Sequence, residues 1–439
     1  MREMKVSGNP WIKNIPQDWE IIRCKYISSF INGFAFDSKK LELNDYKYPV
    51  IRIGDIKDGN VDFYGCQGVN ENLGLNSYQI KKDDILLAMS GATVGKVGLV
   101  RDDKEAYINQ RVGIIRTQNP RYLYYCLSSK EFIEYINLIS DGSAQPNVSG
   151  DGYGNYEIAL PTLKEQEVIA AFLDKKCSEI DALTNDIEKE IEVLENYKKS
   201  VITEAVTRGL NPNVEMKDSG IKWIGNCPNN WDIIKIKNCS LLKGRIGWQG
   251  LQTYEYLDDE TLPYLITGTD FDNGKINWNT CAHVSEERFK IDQAIQIKEN
   301  DLLITKDGTI GKLALTVNCP NKVCLNSGVL LIRNTKNYKY DKKYLYYILS
   351  SNQFYLWYES ANAGNSTIRH LNQEKFYNFV FTYPSIDEQE DISKYLDEKC
   401  DGIDKTISDK QKQLDVLAEY KKSLIYEYVT GKKEVPTNA

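Results

Sequence analysis

The sequence predicts a mixed α/β (α+β) protein made twice over: two tandem α/β domains, each followed by a long helix, with the two helices packed as an antiparallel coiled coil. Three observations predict it. SGNPWIKNIPQDWEIIRCK at 7–25 returns as SGIKWIGNCPNNWDIIKIK at 219–237, with Ser7/Ser219, Trp11/Trp223, Pro16/Pro228 and Trp19/Trp231 in register. Such a repeat defines an architecture before any single element does. Short β-rich runs broken by Gly, Asn and Asp fill the front of each copy, and each copy closes on a long stretch with helical periodicity. The offset between copies grows from 212 at the paired tryptophans to 217 at Asn109/Asn326 and Arg116/Arg333, then to 222 at RYLYYCLSS/KYLYYILSS. It reaches 223 at Glu165-Gln166/Glu388-Gln389 and holds to Thr207/Thr430. Insertions are confined to the front of each copy, while the closing stretch keeps a fixed length. The boundaries that follow are 1–160 and 211–384 for the α/β domains, 161–210 for the first long helix and 385–439 for the second with its tail.

In the α/β parts, YPVIRIGDI, DILLAMS, INQRVGIIR and PYLITGTDF read as strands punctuated by turns. Gly91-Ala-Thr-Val-Gly95-Lys96 and Gly308-Thr-Ile-Gly311-Lys312 superficially suggest a phosphate loop. That motif needs four residues between its glycines and Ser or Thr after the Lys; Val97 and Leu313 stand there instead. Strand–turn–strand hairpins with Gly at positive φ are the expectation. The tyrosine-rich segments RYLYYCLSSKEFIEYI and KYLYYILSSNQFYLWY read as helices whose aromatic stripes belong to a core.

The first long stretch, 165–207, contains neither Pro nor Gly. Ile180, Ile187, Leu194 and Val201 recur every seven residues; Leu396, Cys400, Ile403, Ile407, Leu414, Leu417, Leu424 and Tyr428 follow 3-4 spacing in the second. A sustained 3-4 repeat predicts a coiled-coil seam. Lys410 and Lys421 interrupt it, with stems long enough to snorkel. Thr162 and Ser385, each with Glu three residues on, predict capping boxes.

The net charge of −7 conceals a division. Residues 1–164 sum to 0 and 208–387 to +2, whereas 165–207 sum to −6 and 388–439 to −3. The acidity sits in the helices, so whole-chain charge argues weakly against a nucleic-acid partner, because local patches decide binding. No apolar run approaches the roughly 20 residues of a membrane span. MREMKVSGNPW has no apolar core of a secretory signal, and the ten cysteines include no CxxC. The expectation is a cytoplasmic chain with free, buried thiols. Catalytic constellations and metal sets are absent from the sequence. Its only histidines, His283 and His370, lie in the second copy, so a histidine mechanism would leave the first inert.

The combination of IPxxW, SGATVGK, NQRVGII, GSAQPNVS and P-x-L-x-E-Q-x-x-I-A-x-x-L-D running into a long helix that ends NYKKSVITEAVTRG resembles the specificity subunit of type I restriction-modification systems. The match spans essentially the whole chain, with TKDGTIGK and GNSTIRHLN as departures in the second copy. The resemblance implies two target recognition domains, each reading one half of a gapped, bipartite double-stranded DNA sequence. It implies helices that set the spacing and dock two methyltransferase subunits, which a restriction/motor subunit joins. S-adenosylmethionine, ATP and Mg would belong to those partners, with no cofactor or metal held by this chain. One copy per complex is expected, since internal pseudo-symmetry replaces a dimer.

Base reading wants Arg, Lys, Asn or Gln on loops that reach a groove. The candidates are Ser38, Lys39 and Lys40 after Phe36-Asp37, with Arg245 and Gln249 in the corresponding loop. The hairpin residues Lys96 and Lys312 follow, then Gln145, Asn147 and Arg369. Candidate partner-binding positions on the helices are Ile180, Ile187, Leu194, Ile403, Leu414 and Leu417. The competing readings are a coiled-coil scaffold without DNA, an enzyme in its own right, and a silent specificity cassette.

Overall fold

The computed structural model of the chain describes residues 2–70, 74–140, 147–245, 250–335, 338–362 and 370–436. It divides into two compact units, 1–187 with 411–439, and 188–410.

In unit one, Glu20–Arg23 pairs antiparallel with Glu157–Leu160 and clasps the start of the α/β part to its end. Between them lies a four-stranded antiparallel sheet in the order Ser28–Asn32, Val112–Thr117, Ile85–Ala88, Val97–Leu99. A three-stranded sheet follows, in which Tyr48–Ile51 lies parallel to Tyr107–Ile108 and antiparallel to Gln67–Val69. Unit two repeats the plan: Asp232–Lys235 pairs with Val380–Tyr383, and the sheet order is Ser240–Gly244, Val329–Asn334, Leu302–Thr305, Leu313–Leu315.

The apolar runs explain why these strands sit centrally. Ile85 and Leu87 join the tyrosine-rich helices in one core cluster, while Leu86 and Ala88 face a second cluster with Ile51 and Ile108. In unit two, Leu302 and Ile304 share one cluster and Leu303 the other. A strand covered on both faces needs continuous rather than alternating apolar residues. The tyrosines are core, as expected: Tyr122, Tyr125, Tyr344 and Tyr347 are buried in helices Pro120–Leu127 and Lys342–Ser350.

The predicted rods are the continuous helices Leu163–Arg208 and Ile386–Val429. At 1.5 Å per residue each is roughly 65–70 Å long. Within unit one, Asp181 of the first helix meets Lys421 of the second at 2.5 Å, and the rings of Phe172 and Tyr428 lie 4.6 Å apart. Within unit two, Lys198 meets Asp404 at 2.5 Å, and Lys410 pairs with Glu190. Numbers rise on one helix as they fall on the other, so the packing is antiparallel. The two lysines that break the heptad pattern thus place their ammonium groups on carboxylates of the opposite helix.

The helix ends also dock on the α/β domains, which the periodicity alone does not reveal. Tyr122 donates its hydroxyl hydrogen bond to Ala159 O at 2.7 Å, with Val429 O a second acceptor at 3.1 Å. Its counterpart Tyr344 faces Thr382 O at 3.2 Å and Val206 O at 3.4 Å. Gly209 and Gly431 follow the helices at positive φ, 75° and 69°, the usual left-handed stop.

The capping boxes differ from expectation in one copy. At Thr162 the box is complete: Glu165 N donates to Thr162 Oγ1 at 3.3 Å and Thr162 N to Glu165 Oε2 at 3.1 Å. At Ser385 only half forms, because the Glu388 carboxylate accepts from Trp231 Nε1 at 2.9 Å while Glu388 N donates to Ser385 Oγ at 3.4 Å. In the first copy the choice is reversed: Glu165 completes its cap, and the buried Trp19 Nε1 has no hydrogen-bond partner among the described residues.

Unit one contains a small cleft lined by Ile12, Ser129, Glu131, Tyr156, Val429 and Thr430. Glu131 Oε2 is buried there with no hydrogen-bond partner among the described residues, and burial pushes this carboxyl above its ordinary range, with Glu134 adding to the rise. The equivalent residue in unit two is Gln353, whose Nε2 reaches Val206 O at 3.5 Å. A carboxyl with a raised folded pKa contributes its full stability below its unfolded pKa and loses it as pH rises through the raised value. Unit one is therefore expected to weaken as pH climbs from the ordinary glutamate range toward neutrality. Glu131→Gln should remove that slope and gain about 1 kcal/mol at neutral pH, measured by urea denaturation at several pH values. An unchanged slope would show that other groups set it.

Candidate nucleic-acid interface

In unit one, loop 33–41 is held by aromatic packing. Phe34 and Phe36 contact edge to face at 5.1 Å, Phe34 packs on Tyr78 at 5.4 Å and Phe36 on Tyr107 at 6.0 Å. Asp37 caps the short helix Ser38–Lys40 by accepting from Lys39 N at 3.0 Å. The result is a fixed turn presenting Ser38, Lys39 and Lys40 to solvent.

The glycine segments are hairpins. Ile85–Ala88 and Val97–Leu99 pair antiparallel through a turn with Gly91 and Gly95 at φ of 78° and 84°, and Gly308 and Gly311 repeat it at 70° and 85°. Neither turn forms a phosphate cradle. Lys96 and Lys312 leave the turns exposed. Met89, at the lip of the first hairpin, donates from its backbone N to Arg111 O at 2.9 Å and accepts from Val148 N at 2.8 Å. Asn147 thereby bridges Ser90, and Gln110 and Arg111 are exposed alongside. Phe34 bridges Asn109, tying the first loop to the same edge. Arg111 and Gln110 were missed as candidates, although both lie in NQRVGII; their signal was the type of side chain the motif carries.

In unit two the equivalent edge has other chemistry. Lys306 N donates to Gly328 O at 2.8 Å and Lys306 O accepts from Leu371 N at 2.9 Å. Asn326-Ser327-Gly328 stands where Asn109-Gln110-Arg111 stood. His370 occupies the place of Asn147, its Nδ1 2.5 Å from Asp307 Oδ1. His283 is buried against Tyr264, with ring centroids 4.6 Å apart.

Arg245 is only 2% exposed, donating from Nε to Leu325 O at 2.9 Å and from Nη2 to Cys324 Sγ at 3.5 Å. Its place is corrected by strand register: Gly244 opposes Leu330 as Asn32 opposes Gly113, so Arg245 stands where Gly33 stood, three residues earlier than the expected match to Phe36. A Cβ on Gly33 would come 2.0 Å from Asn109 O; unit two fills the corresponding region with a guanidinium. Gln145, Gln249 and Arg369 lie outside the described residues.

On the helices, Ile180, Ile187 and Ile403 are buried, and Leu194, Leu414 and Leu417 half-buried, along the seam. Among the apolar side chains of the helices that face solvent, four stand at matched positions well along them: Val193 and Val416 are 65% and 66% exposed, Tyr197 and Tyr420 55% and 53%. Val193 and Tyr197 lie one helical turn apart on one face of the first helix, as Val416 and Tyr420 do on the second. Among the described residues no group of His, Cys, Asp and Glu could hold a metal ion, and no helix is long and apolar enough to cross a membrane. All ten cysteines are free thiols, nine of them buried.

Two equivalent loop edges with different polar side chains, one per copy and each anchored to long helices, define a recognition protein of two similar modules. The chain belongs to the type I restriction-modification specificity family: the type I restriction modification DNA specificity domain matches residues 16–193 and 229–415. It is a specificity subunit with two target recognition domains. It is 26% identical over 436 residues to the type I restriction enzyme MjaVIII specificity subunit of Methanocaldococcus jannaschii, across 96% of this chain and 94% of that one. To the EcoBI specificity subunit of Escherichia coli it is 24% identical over 422 residues, across 92% and 84%. A solved chain from work on complex assembly and conformational transition of the type I R-M system shares the fold, with a TM-score of 0.69 at 14% identity over 95% of this chain and 99% of that one.

Proposed function

We propose that each α/β domain reads one half-site of a gapped, bipartite DNA sequence, and that the long helices fix the distance between half-sites and dock methyltransferase subunits. The observation that carries this is the pair of equivalent edges. Exposed Gln110, Arg111 and Asn147 of one edge correspond to Ser327, Gly328 and His370 of the other, so one scaffold presents two hydrogen-bonding patterns. Lys39, Lys40 and Lys96 supply phosphate contacts, which position a protein on duplex DNA without specifying sequence. Arg245, held in the core, is not among the base-reading residues. The fixed helix length sets half-site separation, since spacing follows from the geometry between reading elements.

The docking faces are Val193–Tyr197 and Val416–Tyr420, with the seam residues holding the helices that present them. A matched pair suits two methyltransferase subunits, with a restriction/motor subunit joining the assembly. S-adenosylmethionine, ATP and Mg are held and used by those partners, and one copy of this chain serves each cytoplasmic complex. Long-read methylome sequencing of cells with and without this chain tests the reading: a gapped two-part motif should vanish on deletion. An unchanged methylome opposes it and favours a silent cassette or a scaffold. Val193→Asp is expected to lower co-purification of methyltransferase about tenfold at one docking face, because burying an unpaired carboxylate in an apolar contact is strongly unfavourable. Undiminished co-purification of both subunits would place the docking face elsewhere.

A further inference from the structure

We propose that His370, positioned by Asp307, reads a base edge in the half-site of the second domain, accepting from the exocyclic amino group of an adenine or cytosine. The inference rests on the DNA-reading function proposed above. Four observations support it. First, the backbone bond from Leu371 N to Lys306 O, 2.9 Å, matches that from Val148 N to Met89 O, 2.8 Å, so His370 and Asn147 hold equivalent places at the hairpin lip. Second, the His370 side chain is 59% exposed yet fixed, its Nδ1 2.5 Å from Asp307 Oδ1. Third, no hydrogen bond among the described residues takes Nε2. Fourth, Asp307 replaces Ser90 of the first copy, so the imidazole and its partner stand together where the first copy has an amide beside a hydroxyl.

The chemistry sets the ligand class. In the neutral tautomer that gives Nδ1–H to the carboxylate, the imidazole keeps its lone pair on Nε2, and the proposal concerns that form. Nε2 and the free carboxylate lone pairs then form an acceptor-rich face. Such a face is repelled by phosphates and suits a groove edge, where acidic side chains accept from cytosine N4. A side chain whose rotamer is locked by its neighbour loses little freedom on binding. Asp307 is the positioning residue, acting through the imidazole.

The test uses the assembled complex of this chain with its methyltransferase and a panel of duplexes substituted at each position of both half-sites. His370→Ala should reduce discrimination roughly tenfold at one base pair of one half-site and leave the other half-site intact. Asn147→Ala should do the converse. Asp307→Ala should reproduce the His370→Ala loss, and Asp307→Asn, which still accepts from Nδ1–H, should restore much of it. Removing the exocyclic amino group from that base should cost the wild type the same factor and cost His370→Ala nothing further. Even loss at every position, or unchanged discrimination in His370→Ala with the wild-type motif intact, overturns the assignment of His370 alone. A wild-type complex without any bipartite preference overturns the DNA-reading function itself.

Discussion

Arg333→Ala is expected to destabilise unit two by about 3–5 kcal/mol, the usual cost of removing one partner from a buried ion pair. Asp301 is 2% exposed and receives Arg333 Nε at 2.8 Å together with Nη2, which also donates to Gln296 O at 2.7 Å. Without the guanidinium the carboxylate keeps only the backbone donors Lys298 N, at 2.7 Å, and its local turn. The remaining charge is what makes the loss large. Arg116→Ala should do the same to unit one, where Asp84 is 4% exposed and takes Arg116 Nε and Nη2, both at 2.8 Å. Replacing both members of either pair by leucine should cost far less than removing the arginine alone. Chemical denaturation of the single and double variants checks this. A loss under 1 kcal/mol in Arg333→Ala would mean that water relieves the carboxylate.

Leu173→Ala is expected to cost about 2–5 kcal/mol in unit one, from lost transfer energy and the cavity left behind. Leu173 is fully buried in the cluster that joins Tyr122 and Tyr125 of the α/β domain to Leu424, Ile425 and Tyr428 of the second helix. Three elements share that cluster, so the site collapses poorly around a void. The loss should appear in denaturation and as faster amide exchange at 424–429. Leu396→Ala, equally buried beside Ile202, Ala205 and Val206, should produce the matching effect in unit two. Exchange at 424–429 unchanged by Leu173→Ala would show that the helix end is held by other contacts, foremost the Tyr122 hydroxyl.

The candidate interface was partly legible in the sequence. Lys39, Lys40, Lys96, Lys312 and Asn147 are exposed where loop and hairpin chemistry put them. Arg245 was read as a surface residue because a cation beside turn residues usually is one; its burial follows from a strand register that no local pattern encodes. Gln110 and Arg111 sat inside a motif read for its apolar strand. His370 had no visible role until the hairpin lip brought it to Asp307, 63 residues away. On the helices, the 3-4 rule found the seam and passed over Val193, Tyr197, Val416 and Tyr420, which the rule places off it.

By itself the sequence determined the duplication, the two α/β parts, the extent of the long helices, the glycine hairpins, the aromatic core and the family. These follow from local rules: periodicity, propensity and turn chemistry act over a few residues and need no distant partner. Only the tertiary structure decided what each helix end docks against, which carboxylate answers which lysine, that Glu388 serves Trp231 rather than its own cap, and which polar side chains share an edge. Such choices are settled between residues tens to hundreds of positions apart, by the cost of leaving a buried polar group unpaired or an apolar face uncovered, and that cost is written in packing rather than in any stretch of sequence.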